Sequence, residues 1–144
     1  MEIEFKIYTT NKDYYLMSLL LRYKILRAPL ALSFNQSDFD RDKLDVHIAG
    51  FLDGKMVACL ILQKHTIDSV KIRQVAVDST VQRMGIGKLL DEFAINYCRE
   101  LGVKKIHCHA RKTAVPFYLS QHYSIFGEVF LEVGIEHVYM EKMI

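Results

Sequence analysis

The chain opens with the strand-like alternation of apolar and polar residues and then changes to helical spacing. Residues 3–8 alternate in this way, which predicts a half-buried strand. Apolar residues then recur every three or four positions between residues 15 and 26, the period of one face of a helix. Asn11 or Asp13 is expected to cap this helix, and Pro29 to interrupt it.

The next part of the chain has the pattern of a β-meander. Residues 28–43 break the periodicity with polar residues, so a second short helix or an irregular loop is expected there. Two strand-like runs, 46–52 and 55–63, flank Asp53-Gly54, and Asp-Gly between such runs is a strong hairpin signal. A third run from 70 to 77 is rich in β-branched residues and predicts a buried strand.

Helical spacing returns after Gly85. One apolar stripe contains Ile86, Leu89, Leu90, Phe93, Ala94, Tyr97, Cys98 and Leu101. Gly102 is expected to end this helix. The remaining pattern predicts a strand over 104–109, a short helix that Thr113 caps with Pro116 in its first turn, and strands over 124–133 and 137–143.

Strands, a helical crossover and further strands together predict an α+β fold. We expect a single domain over residues 1–144, with a central, mixed but mostly antiparallel sheet and helices on both faces. The strands that flank the long helix are expected to be parallel neighbours, since a helical crossover joins parallel strands.

Composition and charge limit the classes of protein to which this chain is expected to belong. Hydrophobic residues make up 51% and charged residues 25% of the chain, as in an ordinary globular domain. No apolar run approaches the roughly 20 residues that cross a bilayer, and the N-terminus has no signal-like core. A cytoplasmic protein without membrane contact is therefore expected. The net charge of +2 and the interspersed charges argue against a nucleic-acid partner, while a homodimer stays open.

The cysteines give no sign of a disulfide framework. Cys59, Cys98 and Cys108 are odd in number, lack Cys-x-x-Cys spacing and have apolar neighbours. Buried thiols are the expected state.

A candidate ligand-binding segment lies between the strand over 70–77 and the long helix. Its sequence is Gln82-Arg-Met-Gly85-Ile-Gly87-Lys88. A glycine-containing turn at a helix N-terminus gathers free N–H groups and the positive end of the helix dipole, which favours a phosphate or pyrophosphate. A P-loop is excluded because Leu89 follows Lys88. A dinucleotide fingerprint is poorly matched because Leu90 takes the place of its third glycine.

This segment resembles motif A of the GCN5-related N-acetyltransferase (GNAT) family, whose pattern Gln/Arg-x-x-Gly-x-Gly/Ala is met by Gln82, Gly85 and Gly87. The resemblance implies the acyl-CoA N-acyltransferase fold, in which a bulge splits the strand before the loop and the sheet splays into a cleft. It also implies that the strand backbone holds the pantetheine and the loop holds the pyrophosphate of coenzyme A. The residues at these positions are Val75, Ala76, Val77, Gln82, Arg83, Met84, Gly85, Ile86, Gly87 and Lys88.

A second stretch, residues 110–123, is similar to the family pattern Ala-x-x-x-Ala-x-x-Phe-Tyr-x-x-x-Gly-Phe. The resemblance implies further coenzyme A contacts by Ala110, Ala114, Phe117 and Tyr118. It also implies that Tyr118 acts as the general acid that protonates the departing coenzyme A thiolate, with a packing tyrosine as the alternative. His122 stands where the family has glycine, which puts the backbone conformation of this turn in question.

An attacking amine also needs a base, because most free amines are protonated at neutral pH. Some relatives place a glutamate on the strand before the loop, where this chain has Lys71, Arg73 and Gln74 instead. The other candidates are His47, Glu128, Glu132 and His137. His137 or His47 is the first hypothesis, since histidine accepts protons near neutral pH, and a purely structural histidine is the alternative. The C-terminal stretch around Gly134 and His137 is similar to the ElaA-like branch of the family.

The resemblance implies an N-acetyltransferase that moves an acetyl group from acetyl-CoA, its co-substrate, to a primary amine by direct attack and without a metal. A non-catalytic acyl-CoA binding or sensing module is the alternative, and a nucleotide-binding protein is a third interpretation. A polyamine, an amino sugar, a peptide N-terminus and a lysine all stay open as acceptors. His107 and His109 share a strand face but are poor metal candidates, because no second pair of ligands is evident.

Overall fold

One mixed sheet organises the molecule. The structure is a computed structural model that describes residues 2–144. Its helices and strands, in chain order, are β1 (Glu4–Tyr8), α1 (Asp13–Arg22), α2 (Gln36–Asp42), β2 (Val46–Leu52), β3 (Lys55–Lys64), β4 (Ser69–Val77), α3 (Ile86–Glu100), β5 (Lys105–Arg111), α4 (Val115–Ser120), β6 (Ser124–Ile125), β7 (Phe130–Glu132) and β8 (Ile135–Met143). The sheet order is β1-β2-β3-β4-β5-β8-β6, and β7 also pairs with β8. Strands β4 and β5 are parallel and the other pairs are antiparallel, which confirms the predicted fold.

The two faces of the sheet carry two separate cores. Ile48 and Leu60 point toward α3 and belong to the larger core, together with the buried α3 residues Ile86, Leu90, Ala94, Ile95 and Cys98. Their neighbours Ala49 and Cys59 point the other way, into a smaller core beneath α1. Each fully buried aliphatic side chain of this kind contributes about 1.5–3 kcal/mol to the free energy of unfolding. All three cysteines are buried free thiols, as predicted.

Local signals predicted the hairpin correctly and both helix caps wrongly. Asp53 and Gly54 have φ values of 51° and 77°, the two left-handed residues that a tight hairpin turn requires. Lys12, without a side-chain hydrogen bond, precedes α1, because Asn11 lies within a turn that the Lys12 N–H closes on Thr9 O. The prediction for Thr113 fails because a 3₁₀ turn over Lys112–Ala114 incorporates it, although Pro116 does lie in the first turn of α4.

Two longer elements are shorter than predicted. The α-helix α1 ends at Arg22. The chain then forms a π-turn over Tyr23–Arg27 and a 3₁₀ turn that contains Pro29. The strand predicted over 124–133 is instead two short strands, β6 and β7, because the chain bends at Gly127, whose φ is 81°. Both short strands pair with β8.

The turn after α4 forms although His122 replaces the usual glycine. His122 has a φ of 69°, and the N–H groups of His122 and Tyr123 donate to the carbonyls of Leu119 and Tyr118 at 3.0 Å each. These two bonds are the Schellman arrangement that closes a helix C-terminus around a left-handed residue. His122 therefore adopts a backbone conformation that favours glycine.

We expect His122→Gly to raise the free energy of unfolding by about 0.5–1 kcal/mol, because glycine adopts a left-handed conformation without the Cβ clash. Denaturant unfolding measures this change. Gln121→Gly is the matched control, since Gln121 has a φ of −92° and gains nothing from glycine. Equal losses of stability in the two variants would contradict the expectation.

Candidate functional site

The sheet opens between β4 and β5. The parallel pairing of these strands ends at Ile72 and Cys108. Immediately beyond, Gln74 has a φ of 55°, and the register between β3 and β4 shifts, which is the signature of a bulge. β4 then continues alongside β3, while β5 stays paired with β8 as far as Arg111. The expected bulge and splayed cleft are confirmed.

Beyond the bulge, one edge of β4 faces the opening instead of β5. The Asp78 N–H donates to Val57 O on β3 at 2.8 Å. Since successive residues of a strand direct their backbone groups to opposite sides, Val75 and Val77 face the opening. Both line a cavity of about 1170 Å³ that extends from the glycine loop to His137.

The glycine loop presents amide donors to the same cavity. Gly85, with a φ of 80°, precedes α3, which has no side-chain cap. Within residues 2–144 the N–H groups of Gly85–Lys88 have no hydrogen-bond acceptor. Four free donors and the positive end of the 15-residue α3 helix therefore converge on one wall of the cavity.

Two contacts hold the loop in place. The Gln82 side chain donates from Nε2 to Val77 O at 3.0 Å and so ties the loop to the end of β4. Gly87 packs against α4 so closely that an added Cβ would lie 3.3 Å from Phe117 Cε1. Close packing therefore favours the second glycine of the motif, whereas backbone conformation favours the first.

Most of the predicted site residues line the cavity, whereas Ala76, Met84, His47 and Glu128 do not. The lining residues among them are Val75, Val77, Gln82, Arg83, Gly85, Ile86, Gly87, Lys88, Ala110, Ala114, Phe117, Tyr118, Glu132 and His137. Ala76 is buried in the smaller core, and Met84 is exposed on the outside of the loop. His47 is also elsewhere, buried beneath α1, and its Nε2 lies 2.8 Å from Asp42 O.

Tyr118 is a buried phenol at the wall of the cavity. Its ring packs edge-to-face against Phe117 and Tyr123, at centroid distances of 5.1 and 5.2 Å. Its hydroxyl has no hydrogen-bond partner among residues 2–144. Burial raises the pKa of Tyr118 well above the usual value for a phenol. The hydroxyl thus keeps its proton at neutral pH and is free to donate it to a molecule in the cavity.

A cluster of titratable groups around Glu132 lines the same cavity. His109 Nδ1 lies 2.9 Å from Glu132 Oε1, and His137 Nε2 lies 3.6 Å from Glu132 Oε2. Burial acts to raise the pKa of Glu132, but the hydrogen bond from His109 and the charge of Lys71 outweigh it and hold that pKa below its usual range. The carboxylate is therefore ionised at neutral pH.

The geometry around His137 assigns its tautomer. Nδ1 lies 2.8 Å from Ile135 O, a carbonyl that can only accept, so Nδ1 carries the proton. Nε2, which carries the lone pair when the ring is neutral, lies 3.6 Å from Glu132 Oε2. The pair can take a proton from an amine and stabilise the resulting imidazolium.

A buried ion network supports the bulge from the side of α1 and α2. Arg22 and Asp42 are 1% and 0% exposed and form an ion pair at 2.9 Å. Arg73 Nη2 lies 3.4 Å from the same carboxylate, and Arg22 Nε donates to Gln74 Oε1 at 3.4 Å. The network ties Gln74, the residue at the bulge, to α1 and α2.

Metal and membrane signals are weak in the part of the chain that the structure describes. His107 stacks between His65 and Tyr139 rather than joining His109, and burial lowers its pKa to about 4. Among residues 2–144 no group of three or more His, Cys, Asp or Glu residues could hold a metal ion. None of the helices described here is long and apolar enough to cross a membrane.

Comparison with known proteins agrees with this geometry. A family model described as an acetyltransferase (GNAT) domain matches residues 42–144. An acyl-CoA N-acyltransferase from Pseudomonas aeruginosa has a similar structure, with a TM-score of 0.84 at 20% identity over 98% of this chain and 99% of that one. Escherichia coli ElaA has a similar structure, with a TM-score of 0.83 at 22% identity over 98% of this chain and 99% of that one. A GNAT family acetyltransferase from Elizabethkingia anophelis with acetyl-CoA bound has a TM-score of 0.73 at 17% identity over 99% of this chain and 98% of that one.

Proposed function

Since the match over residues 42–144 shows that the chain belongs to the GNAT acetyltransferase family and is an acyltransferase that uses acyl-CoA, we propose that it transfers an acetyl group from acetyl-CoA to a primary amine. One observation carries this proposal. A single cavity joins the free amides of Gly85–Lys88, the phenol of Tyr118 and the Glu132–His137 pair. Donor binding, an acid and a base thus share one space.

Acyl-CoA would be held at the β4 side of the cavity. The N–H groups of Gly85–Lys88 would bind the pyrophosphate, with positive charge added by Arg83 and Lys88. The backbone of Val75 and Val77 would bind the amides of the pantetheine. These contacts fix the thioester near the bulge, and much of the rate enhancement would come from this alignment.

The proposal gives the roles of acid and base to Tyr118 and His137. Tyr118 would donate its proton to the sulfur that leaves, so that coenzyme A departs as the thiol and no negative charge stays on sulfur. His137 Nε2 would accept a proton from the attacking amine, while Glu132 stabilises the charged ring. His109 would act as a positioning residue, since its hydrogen bond orients Glu132.

We expect His137→Gln to lower kcat/KM at pH 7 by about tenfold, at or below the low end of the usual range for a general base. The deficit should shrink as the pH approaches the pKa of the amine, because the fraction of free amine then rises without help from the enzyme. Rates measured from about pH 6 to 9.5 would show this. His65→Gln is the matched control, because His65 lies outside the cavity lining. Identical pH profiles for wild type and His137→Gln would remove His137 from the mechanism.

Thiol release with a panel of amines tests the proposed function as a whole. Protein is mixed with acetyl-CoA and each amine, and free thiol is followed beside the N-acetylated product. We expect thiol and product in equal amounts for at least one amine. Tight acetyl-CoA binding without amine-dependent thiol release from any amine would contradict the proposal and favour a sensing module.

A further inference from the structure

The part of the cavity outside the glycine loop, called its acceptor half, is lined by more cationic than anionic side chains. Its charged residues are Arg27, Asp38, Lys71, Arg73, Arg111 and Glu132. Arg27 pairs with Asp38 at 3.4 Å, and Arg73 pairs with Asp42 at 3.4 Å. Lys71 lies 3.3 Å from His109, beside the charge of Glu132. Arg111 is the one cation of this set that has no such neighbour.

Arg111 has no carboxylate within ion-pair distance among residues 2–144, although it is partly buried. Its single hydrogen bond runs from Nη2 to Leu26 O at 2.9 Å, which uses one of five guanidinium donors. Burial, and after it the charge of Arg27, lowers the pKa of Arg111. A guanidinium that lines a cavity beside a second guanidinium, with most of its donors unused, is complementary to an oxyanion.

Arg111 lies next to His137, the proposed base, in the sheet. Arg111 on β5 is the direct partner of His137 on β8, so the two side chains leave the same face of the sheet. The Cα atoms of such partners are about 4.5–5.5 Å apart. An oxyanion on Arg111 and an amine beside His137 would therefore be separated by only a few bonds in one small molecule.

We propose that Arg111 binds a carboxylate or phosphate group of the acceptor, and that the acceptor is a small amine that carries such an anionic group close to its amino group. This assignment rests on the proposed acyl transfer to an amine and specifies its substrate class. A polyamine, with several cations and no anion, has the wrong charge for this half of the cavity.

Matched pairs of acceptors provide the test. The rate of amine-dependent thiol release is measured for glycine against glycinamide, and for O-phosphoethanolamine against ethanolamine, with acetyl-CoA at saturation. Within each pair the anionic group is lost, and rates are compared at equal concentrations of free amine because this loss also changes the amine pKa. The two pairs separate carboxylate from phosphate. We expect kcat/KM to favour the anionic member of at least one pair by about tenfold or more, the usual effect of one charge-assisted contact.

Arg111 variants connect that preference to the residue. Arg111→Gln should reduce the preference to less than about threefold, and Arg111→Lys should restore part of it, because lysine keeps the charge but loses the planar fork. Lys112→Gln is the matched control: Lys112 is the neighbouring cation, its side chain is 64% exposed and pairs with Glu136, and it does not line the cavity. The control should keep the wild-type preference.

Three outcomes would overturn the assignment. Turnover that favours the neutral members of both pairs would do so while the proposed function stands. The same holds if Arg111→Gln leaves the preference for the anionic member intact. Failure of every amine to release thiol from bound acetyl-CoA would remove the proposed function, and the assignment with it.

Discussion

Replacing Tyr118 by phenylalanine is expected to lower kcat by about 10²–10³-fold, the range of a lost general acid. The Kd for acetyl-CoA should change by less than about threefold, because the ring and its edge-to-face packing are retained. Little stability should be lost, since the hydroxyl has no partner among residues 2–144. Steady-state kinetics and calorimetric titration with acetyl-CoA measure both quantities.

A neighbouring tyrosine is the matched control. The Tyr123 hydroxyl donates to Asp91 Oδ1 at 2.8 Å in the core beneath α3. Tyr123→Phe leaves this buried carboxyl without its donor and should cost about 1–3 kcal/mol of stability with kcat preserved. The two variants should thus behave oppositely in rate and in stability. If Tyr118→Phe and Tyr123→Phe had the same kcat, Tyr118 would be a packing residue.

Replacing Gly87 by valine is expected to weaken coenzyme A binding by about 10- to 100-fold, the effect of losing one or two charge-assisted hydrogen bonds. An added Cβ would lie 3.3 Å from Phe117 Cε1 and 3.8 Å from Val77 Cγ2, and the two further methyl groups of valine need still more space. α3 and the loop must move apart from α4, which displaces the amides that face the pyrophosphate. Calorimetric titration with coenzyme A measures the change in Kd.

Asn96→Val controls for the effect of a β-branched residue in the same helix. Asn96 is exposed on α3 and lies outside the cavity lining. Its replacement removes one exposed hydrogen bond from Arg99 and carries the helix-propensity cost of valine. The control should bind coenzyme A as wild type does. Thermal unfolding of both variants shows whether Gly87→Val is folded. A folded Gly87→Val protein with wild-type affinity would contradict the role assigned to the loop.

The sequence predicted those parts of the fold that depend on neighbours along the chain. The stripe of α3 and the Asp53-Gly54 turn are local patterns, and each settles one element by itself. The parallel contact of β4 and β5 followed from the crossover that α3 provides. The bulge at Gln74 was expected only through the family resemblance, because nothing in the residue itself favours a positive φ.

Parts of the site escaped prediction because they are assembled from distant segments. His109, Glu132 and Lys71 lie on β5, β7 and β4, and their contacts depend on the register of three strands that no local pattern fixes. Arg111 was read only as one position in the motif of residues 110–123, although its pairing with His137 gives it a place in the acceptor half. The burial of Arg22 with Asp42 had one signal in the sequence, which is that this arginine follows the apolar positions of α1.

The central claim is that the amides of Gly85–Lys88 bind the pyrophosphate of coenzyme A, and backbone NMR tests it most directly. Uniformly ¹⁵N-labelled protein is titrated with coenzyme A and, separately, with pantetheine, which lacks the diphosphate. We expect large downfield shifts of the Gly85, Gly87 and Lys88 amide protons with coenzyme A and none of comparable size with pantetheine. Coenzyme A that binds without moving these amides, or that does not bind the folded protein, would contradict the claim.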